Sequence, residues 1–481
     1  MKKLLYIFAV TGMMITASCS KNFLQIDPQQ QTDASLVIQD LPGTRAAITG
    51  IYSLMQSING YGRTTTLLPD LMSDNVYISK KNQGRYLAYD QYNTVATDGY
   101  AASQWNQLYR VVANTNLLIS KAEKVDYPVA DQAEARHIMG EAYALRAMAH
   151  FDLVRFYAMP YNFTTAADHT GVPVVLKSGT NKDEIQSPSR NKVKEVYDQV
   201  IADFSKAISL LPKTPVGFKT AMRGRMSHYA AKALLARVQL YREDWVAADT
   251  LAADVITNGY YTLLSRSQYI EDGRKLNNAE SIFELQYNLL DNPGSDALAN
   301  FYWQSGSYGD ALASENLYNA YASTDIRRGY ITKGKRKDGE DPAMLVLKYI
   351  NNTSFEEPVK VIRLAEMYLI RAEARQHQGL DAAAAQDLNT IATRADASWT
   401  PTAATGAALQ ALILDENRKE FAFEGHRLFD LTRNKLTFTK YRSGTNTIAI
   451  QPGNGKTILP IPQSEMNANK NMEQNEAYKI K

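Results

Sequence analysis

The chain has 481 residues, enough for one large domain or up to three ordinary ones of about 150 residues each. Apolar residues make up 45% and charged residues 21%, close to ordinary globular usage, which excludes a disordered, collagenous or multi-span membrane chain. Lys plus Arg is 53 against 50 for Asp plus Glu, and this net charge of +3 is too balanced to point to nucleic acid or an anionic surface.

At the N-terminus, Met1-Lys2-Lys3 is basic, Leu4 to Met14 is apolar, and Thr16-Ala17-Ser18 are small. This predicts a signal peptide over residues 1–18 that is removed from the mature protein. Cys19 is the only cysteine, which excludes an internal disulfide and a Cys-rich zinc site. Placed directly after small residues, it resembles a bacterial lipobox cysteine, whose acylated thiol becomes the mature N-terminus; an ordinary signal peptide with an incidental cysteine is the plainer alternative. No later stretch reaches 18 apolar residues, so the expectation is a lipid anchor, not a membrane span.

Residues 59–104 are irregular and ring-rich, with Tyr77, Arg85, Tyr86, Tyr89 and Tyr92. Trp105 begins a predicted helix and reads as a core anchor. From Glu134 to Ala158, apolar residues spaced by threes and fours (Ala135, Ile138, Ala142, Leu145, Ala149, Leu153, Phe156) predict a long helix that Met159-Pro160 stops. Tyr229–Tyr241 and Trp245–Asn258 predict a helical hairpin turned by Arg242-Glu243-Asp244, with Trp245 as a second core anchor and Gly259 in a left-handed cap. Residues 260–360 lack a sustained helical period and read as long loops with short strands, a texture uncommon in a compact domain unless it binds something. A second hairpin follows at Val361–His377 and Leu380–Arg394, turned by Gln378-Gly379. With Ala236 laid on Ala372, the two hairpins align at an offset of four tetratricopeptide periods. The irregular stretch between them cannot be two further repeats. Gly406–Gly425 returns to helix, and Pro452-Gly453-Asn454-Gly455 predicts the turn of a β-hairpin between Ile448–Ile450 and Thr457–Ile461. No Pro- or Ser-rich linker appears, so residues 19–481 are expected to form a single domain.

Several segments together resemble the SusD/RagB family of Bacteroidetes outer-membrane nutrient-binding lipoproteins. They are Phe23-Leu24-Gln25-Ile26-Asp27-Pro28, Glu141 to Ala147 running on to Phe151-Asp152-Leu153-Val154, Arg363 to Ala374, Asp415 to Leu431, and the ending Leu459-Pro460-Ile461-Pro462-Gln463-Ser464-Glu465 with Asn471 to Asn475. The resemblance implies a mainly α fold in which tetratricopeptide-like helix pairs form a scaffold, with long irregular loops and a few short β-hairpins. It also implies an outer-membrane, lipid-anchored, surface-exposed protein without enzymatic activity or a cofactor, which holds an oligosaccharide over a SusC-like TonB-dependent transporter. The loops at residues 76–95 and 289–330 are then expected to face that barrel. A peptide ligand is the alternative within the family, and an all-helical glycosidase is the alternative outside it.

The charged motifs carry little chemistry. Glu416, Glu420 and Glu424, with His426 and Asp430 nearby, lie along one predicted helix; glycosidic acid/base pairs face each other across a sugar, so an ion-paired helix with Arg418, Lys419 and Arg427 is the expected reading. Glu134-x-x-His137 has the spacing of half a di-iron site, without a second copy, and His137 reads as a surface residue. Gly455-Lys456-Thr457 reads as a turn rather than a phosphate loop, and Lys333 to Lys337 as a solvated basic loop. What remains is aromatic. Tyr302, Trp303 and Tyr308 alternate with small and polar residues in the second long loop, a pattern suited to stacking on the C–H face of a sugar while polar neighbours meet its hydroxyls. The expected ligand contacts are therefore Trp303, Tyr302, Tyr308, Tyr77, Arg85 and Tyr86.

Overall fold

Small side chains along the long helices allow close helix packing, and the architecture follows from that. The computed structural model describes residues 37–178, 187–214, 223–306, 308–442 and 446–479; the signal segment and Cys19 lie outside them. Among the described residues, eleven helices of seven residues or more occur: α1 Leu41–Gln56, α2 Thr64–Leu71, α3 Gly99–Ala122, α4 Val129–Tyr157, α5 Val193–Leu210, α6 His228–Arg242, α7 Trp245–Asn258, α8 Leu364–His377, α9 Asp381–Ala395, α10 Gly406–Glu420 and α11 Arg427–Arg433. The sequence reading assigns no element to α1 or α5. Asp40 caps α1, its carboxylate accepting from the Gly43 amide at 2.8 Å.

Consecutive helices pack as neighbours: α3 on α4, α4 on α5, α5 on α6, α6 on α7. Helix α4 is enclosed almost all round, burying Ala142, Ala144, Ala147 and Ala149 with Leu145 and Leu153. At Gly140 a Cβ would lie 2.8 Å from Leu211 Cγ, so only glycine lets the end of α5 come this close. This enclosure corrects the reading of His137, which is buried with its ring 3.5 Å from the Glu141 carboxylate. Glu134 pairs instead with Arg45 on α1.

The two hairpins, α6/α7 and α8/α9, are separated by about a hundred residues of chain but adjacent in space, since α7 packs directly on α8. Trp245, read as a core anchor, is half-buried and stacks on His377 of α8 at 3.9 Å and 7°. Trp105 does lie in the core. Glu243, at φ 66°, supplies the left-handed residue of the first hairpin turn. Gly259 does not form the expected left-handed cap (φ −73°, ψ 156°); a Cβ there would sit 2.5 Å from the Val255 carbonyl oxygen, so close approach explains the glycine.

Residues 260–358 leave the helical array and return through an antiparallel pair of strands, β2 Ser281–Leu285 with β6 Val359–Arg363, so α8 begins at Leu364 rather than at Val361. A four-stranded antiparallel sheet in the order β1-β3-β5-β4 joins this excursion to the first loop region, through β1 Val76–Ile78, β3 Ala311–Ala313, β4 Ile331–Gly334 and β5 Ala343–Val346. The last pair, β7 Phe438–Tyr441 and β8 Thr447–Ile450, corrects the predicted hairpin: Ile448–Ile450 pairs with the segment before it. Residues 457–461 run along the end of α4 instead, where the Leu459 amide donates to the Phe156 carbonyl at 2.7 Å. The strand missed was β7, whose inward Lys440 is buried against Asp90 at 2.7 Å and reads as a polar loop residue in sequence.

A buried charge network pins the excursion to α10. Arg327, 1% exposed, meets Asp325, Glu416 and Glu420 at 2.8, 2.6 and 3.0 Å. Arg363 and Arg394 bridge Glu420 to Glu280, the residue before β2, and Arg363 also reaches Glu424 at 2.8 Å. Burial alone would push the Glu420 carboxyl up; Arg394, Arg363 and Arg327 together outweigh it and hold it well below the usual carboxylate range. The ion-paired reading of this helix therefore stands, but in the interior: of the expected partners Lys419 pairs with Glu416 at 3.1 Å, while the arginines that hold the ladder come from elsewhere in the chain. Arg418 and Arg427 pair with Asp74.

Candidate functional site

Two loops meet at the edge of the four-stranded sheet. One, residues 79–86, follows β1; the other, residues 303–306 and 308–310, leads into β3. Pairing of Val76 with Ala313 and Ile78 with Ala311 fixes their relative position. Arg336 stitches them: its Nη2 donates to the carbonyls of Lys81 at 3.2 Å and Tyr308 at 2.8 Å, and meets the Asp310 carboxylate at 3.1 Å. Lys333, Lys335 and Lys337 are exposed as expected, but Lys333 and Gly334 belong to β4 rather than to a loop, and Arg336 in their midst is buried and structural. Glu340 adds a second tie, accepting from the Ser79 hydroxyl at 2.6 Å and the Lys80 amide at 2.8 Å.

The short helix Leu298–Tyr302 sends Phe301 and Tyr302 inward, and the chain then turns out at Trp303. The Asn300 carbonyl closes the following loop, accepting from the amides of Tyr308 at 3.3 Å and Gly309 at 2.8 Å. Gly309 takes the left-handed conformation there, φ 55°.

The structure divides the six expected contacts. Tyr302 is fully buried, stacked on Tyr349 at 5.9 Å and edge-on to Phe423 at 5.6 Å, so it offers no face to a ligand. Tyr86 is also buried: its hydroxyl bonds Arg63 Nε at 3.0 Å and the Thr64 hydroxyl at 2.7 Å, and its ring stacks on Tyr100 at 4.0 Å. Burial holds its phenol above the usual value against the pull of Arg63. Tyr77 is half-buried and packs on Leu312, Ala343 and Leu345. The other three remain at the surface. Arg85, Tyr308 and Trp303 are each partly exposed, and the Arg85 guanidinium lies 3.9 Å from the centre of the Tyr308 ring. No ring or side-chain hydrogen bond pairs with the Trp303 indole among the described residues. Tyr89 and Tyr92 are anchored inward, by Asp98 and by the Met72 carbonyl.

Tyr86 and Phe301, both buried, form the support within a row of four rings. Tyr100, Tyr86, Phe301 and Tyr308 follow one another at centroid distances of 4.0, 5.4 and 5.5 Å, with Arg63 against both Tyr86 and Phe301 at 5.5 Å. Sequence reading missed Tyr100, Arg63 and Arg336. Tyr100 stands at the start of α3, where a ring reads as core; its half-exposed stack on Tyr86 depends on a fold that brings residues 86 and 100 together. Among the described residues, no group of three or more His, Cys, Asp or Glu is placed to hold a metal, and no helix is long and apolar enough to cross a membrane.

Two models of one family match the chain. The first, described as starch-binding and associating with the outer membrane, covers residues 23–240, and the second, the SusD family, covers residues 345–478. The SusD-like protein P25 of Formosa agariphila is 23% identical, over 97% of this chain and 96% of its own. A solved SusD superfamily protein of Bacteroides thetaiotaomicron superimposes with a TM-score of 0.82 at 28% identity, covering 91% of this chain and 99% of that one. Another from Bacteroides vulgatus gives 0.81 at 27% identity, covering 92% and 100%. With both halves matched by models of one family and the mainly α, helix-pair scaffold shared with its solved members, the chain belongs to the SusD/RagB family.

Proposed function

We propose that this protein binds an oligosaccharide without turning it over, holds it on the lip formed by Trp303, Tyr308 and Arg85, and presents it to a SusC-like TonB-dependent transporter in the outer membrane, to which Cys19 anchors it by lipid. The observation that carries this reading is the Arg85–Tyr308 pair at 3.9 Å, with the partly exposed Trp303 in the same loop as Tyr308. A ring face and a guanidinium, rigidly backed by buried rings and rimmed by polar loop groups, suit a ligand with apolar C–H faces and many hydroxyls. The carboxylate ladder supports binding without hydrolysis: Glu416, Glu420 and Glu424 are occupied by Arg327, Arg363 and Lys348 in the interior and do not face one another across a cleft. Family membership and the description of the first family model support a carbohydrate ligand and outer-membrane association.

Burial of one ring is worth at most about 1.5–3 kcal/mol and each net hydrogen bond about 1. After ordering costs, such a lip gives affinities from roughly millimolar to micromolar. Titration calorimetry against plant, host and microbial polysaccharides, with a peptide panel alongside, tests the reading. At least one glycan binds and none is cleaved; peptide binding alone, or release of product, overturns it.

A further inference from the structure

A second concave site lies away from the lip. Two pockets, of about 240 and 710 Å³, share Met159, Phe163 and Gly453 as a common wall and form one cleft between the end of α4, the turn after β8 and the C-terminal tail. Their size is that of a small-molecule site. Phe163 is 47% exposed and Leu436 is 38% exposed, and both line this cleft. Two large apolar side chains exposed in one concavity mark a place that binds something.

The platform is held in advance. Pro160 ends α4, and Asn162 ties the turn to the Arg433 carbonyl at 2.7 Å and to Glu243 at 2.6 Å. The His169 ring meets Phe163 edge to face at 5.3 Å, and is itself fixed by the Thr164 hydroxyl and the Met159 carbonyl, each at 3.1 Å. Opposite, Gly453 has φ 77°, the left-handed conformation that favours glycine, and this turn brings it against the Phe163 ring edge, where a Cβ would make an ordinary contact at 3.6 Å. Arg190 locks the tail wall, donating to the Gly171 carbonyl at 2.6 Å, the Glu473 carbonyl at 2.9 Å and Asn475 Oδ1 at 2.8 Å.

The polar lining selects the ligand class. Arg190, Lys435 and Lys479 are set against Glu473 and Glu476, so the charge of the cleft nearly cancels. Lys479 pairs with Glu476. The exposed Thr170 hydroxyl and the Glu473 carboxylate add groups that can donate to or accept from hydroxyls. An apolar ring face with donors and acceptors in balance suits a neutral polyhydroxylated ring.

We propose that this cleft is a second carbohydrate-binding site, separate from the lip, in which a neutral sugar ring stacks on Phe163. The proposal rests on the glycan reading above only for the class of ligand, since the two sites share no residue. Saturation-transfer difference NMR on the mature chain, with maltohexaose, cellohexaose, mannohexaose and xylohexaose as probes, tests it. At least one probe keeps its signal in the double variant Trp303→Ala, Arg85→Ala, weakens about tenfold when Phe163→Ala is added, and recovers with Phe163→Trp in its place. Melting temperatures of all variants are compared, so that loss of fold is not taken for loss of binding. No signal for any probe once the lip is removed, or signal indifferent to Phe163→Ala, overturns the cleft; so does Phe163-dependent binding of oligogalacturonate with none of the neutral probes. The lip is judged separately, by a loss of signal for at least one probe in the Trp303→Ala, Arg85→Ala variant; if no probe loses signal there while binding is lost with Phe163→Ala, the lip is overturned and the cleft stands.

Discussion

The Arg85 guanidinium lies 3.9 Å from the centre of the Tyr308 ring, although 223 residues of chain separate them. Their contact joins the two loop regions at the surface, and Arg336 joins the same loops beneath it. A cation over a ring at an exposed site contributes about 0.5–1 kcal/mol to holding that geometry.

Ring variants should therefore separate by burial. Trp303→Ala and Tyr308→Ala are expected to weaken glycan binding by about 1.5–3 kcal/mol, roughly ten- to a hundred-fold, with little change in melting temperature. Tyr86→Ala and Tyr302→Ala, which empty core positions, are expected to cost about 3–5 kcal/mol of stability. Calorimetry of binding and thermal melts on the four variants check the division; affinity loss with Tyr302→Ala at unchanged stability contradicts it.

Arg327→Met removes the cation shared by Asp325, Glu416 and Glu420 while all three carboxylates stay buried. Asp325 then loses its cation, while Glu416 keeps Lys419 and Glu420 keeps Arg363 and Arg394; removing one partner of a buried pair costs about 3–5 kcal/mol. Chemical denaturation measures this, and hydrogen exchange should show the protection lost first around residues 321–331. A cost below about 1 kcal/mol would mean the network contributes nothing that packing does not.

Asp70 predicts a pH dependence. Its carboxyl is fully buried and burial pushes it up to about 6, against the Asn75 side chain and the Gly425 amide, which donate to it at 3.0 and 2.7 Å. The folded state thus holds this proton more tightly than the unfolded one, where the group titrates near 3.8. Its contribution is fully present below about pH 4 and is lost as pH rises through about 6, a difference of order 3 kcal/mol. Asp70→Asn carries no such proton. The stability of the variant relative to the native chain should therefore improve between pH 4 and pH 7, as read by urea denaturation at each pH; a flat difference rules the assignment out.

Cys19→Ala is expected to release the protein from the membrane fraction and to block processing at residue 19. One acyl chain binds only marginally, so stable attachment calls for the several chains of a bacterial lipoprotein. Membrane retention of the variant, together with an unmodified Cys19 in the native protein, would falsify the anchor. Mild detergent extraction of the native protein should in turn recover the transporter with it.

The sequence by itself determined the helices whose apolar spacing is local, namely α4, α6, α7 and α9, and the motifs that mark the family. It also determined that residues 260–360 are not repeats, because periodicity is a property of neighbouring residues. It could not place β7, where a buried Lys440 breaks the alternation that reveals a strand, nor show His137 buried, because on a helix that exposes Ala133 and Arg136 the covering of a polar residue depends on what packs against that face. Within the candidate site, Tyr302 and Trp303 are adjacent and equally aromatic, yet one is sealed under Tyr349 and Phe423 while the other turns outward. Only the tertiary structure decided between them, because exposure depends on which distant segments cover a residue. The same holds for Phe163, an unremarked ring after a helix stop, which is 47% exposed and lies against Gly453 nearly three hundred residues later. Sequence spacing reports the direction of a side chain from its own backbone, and what lies in that direction is set by the rest of the fold.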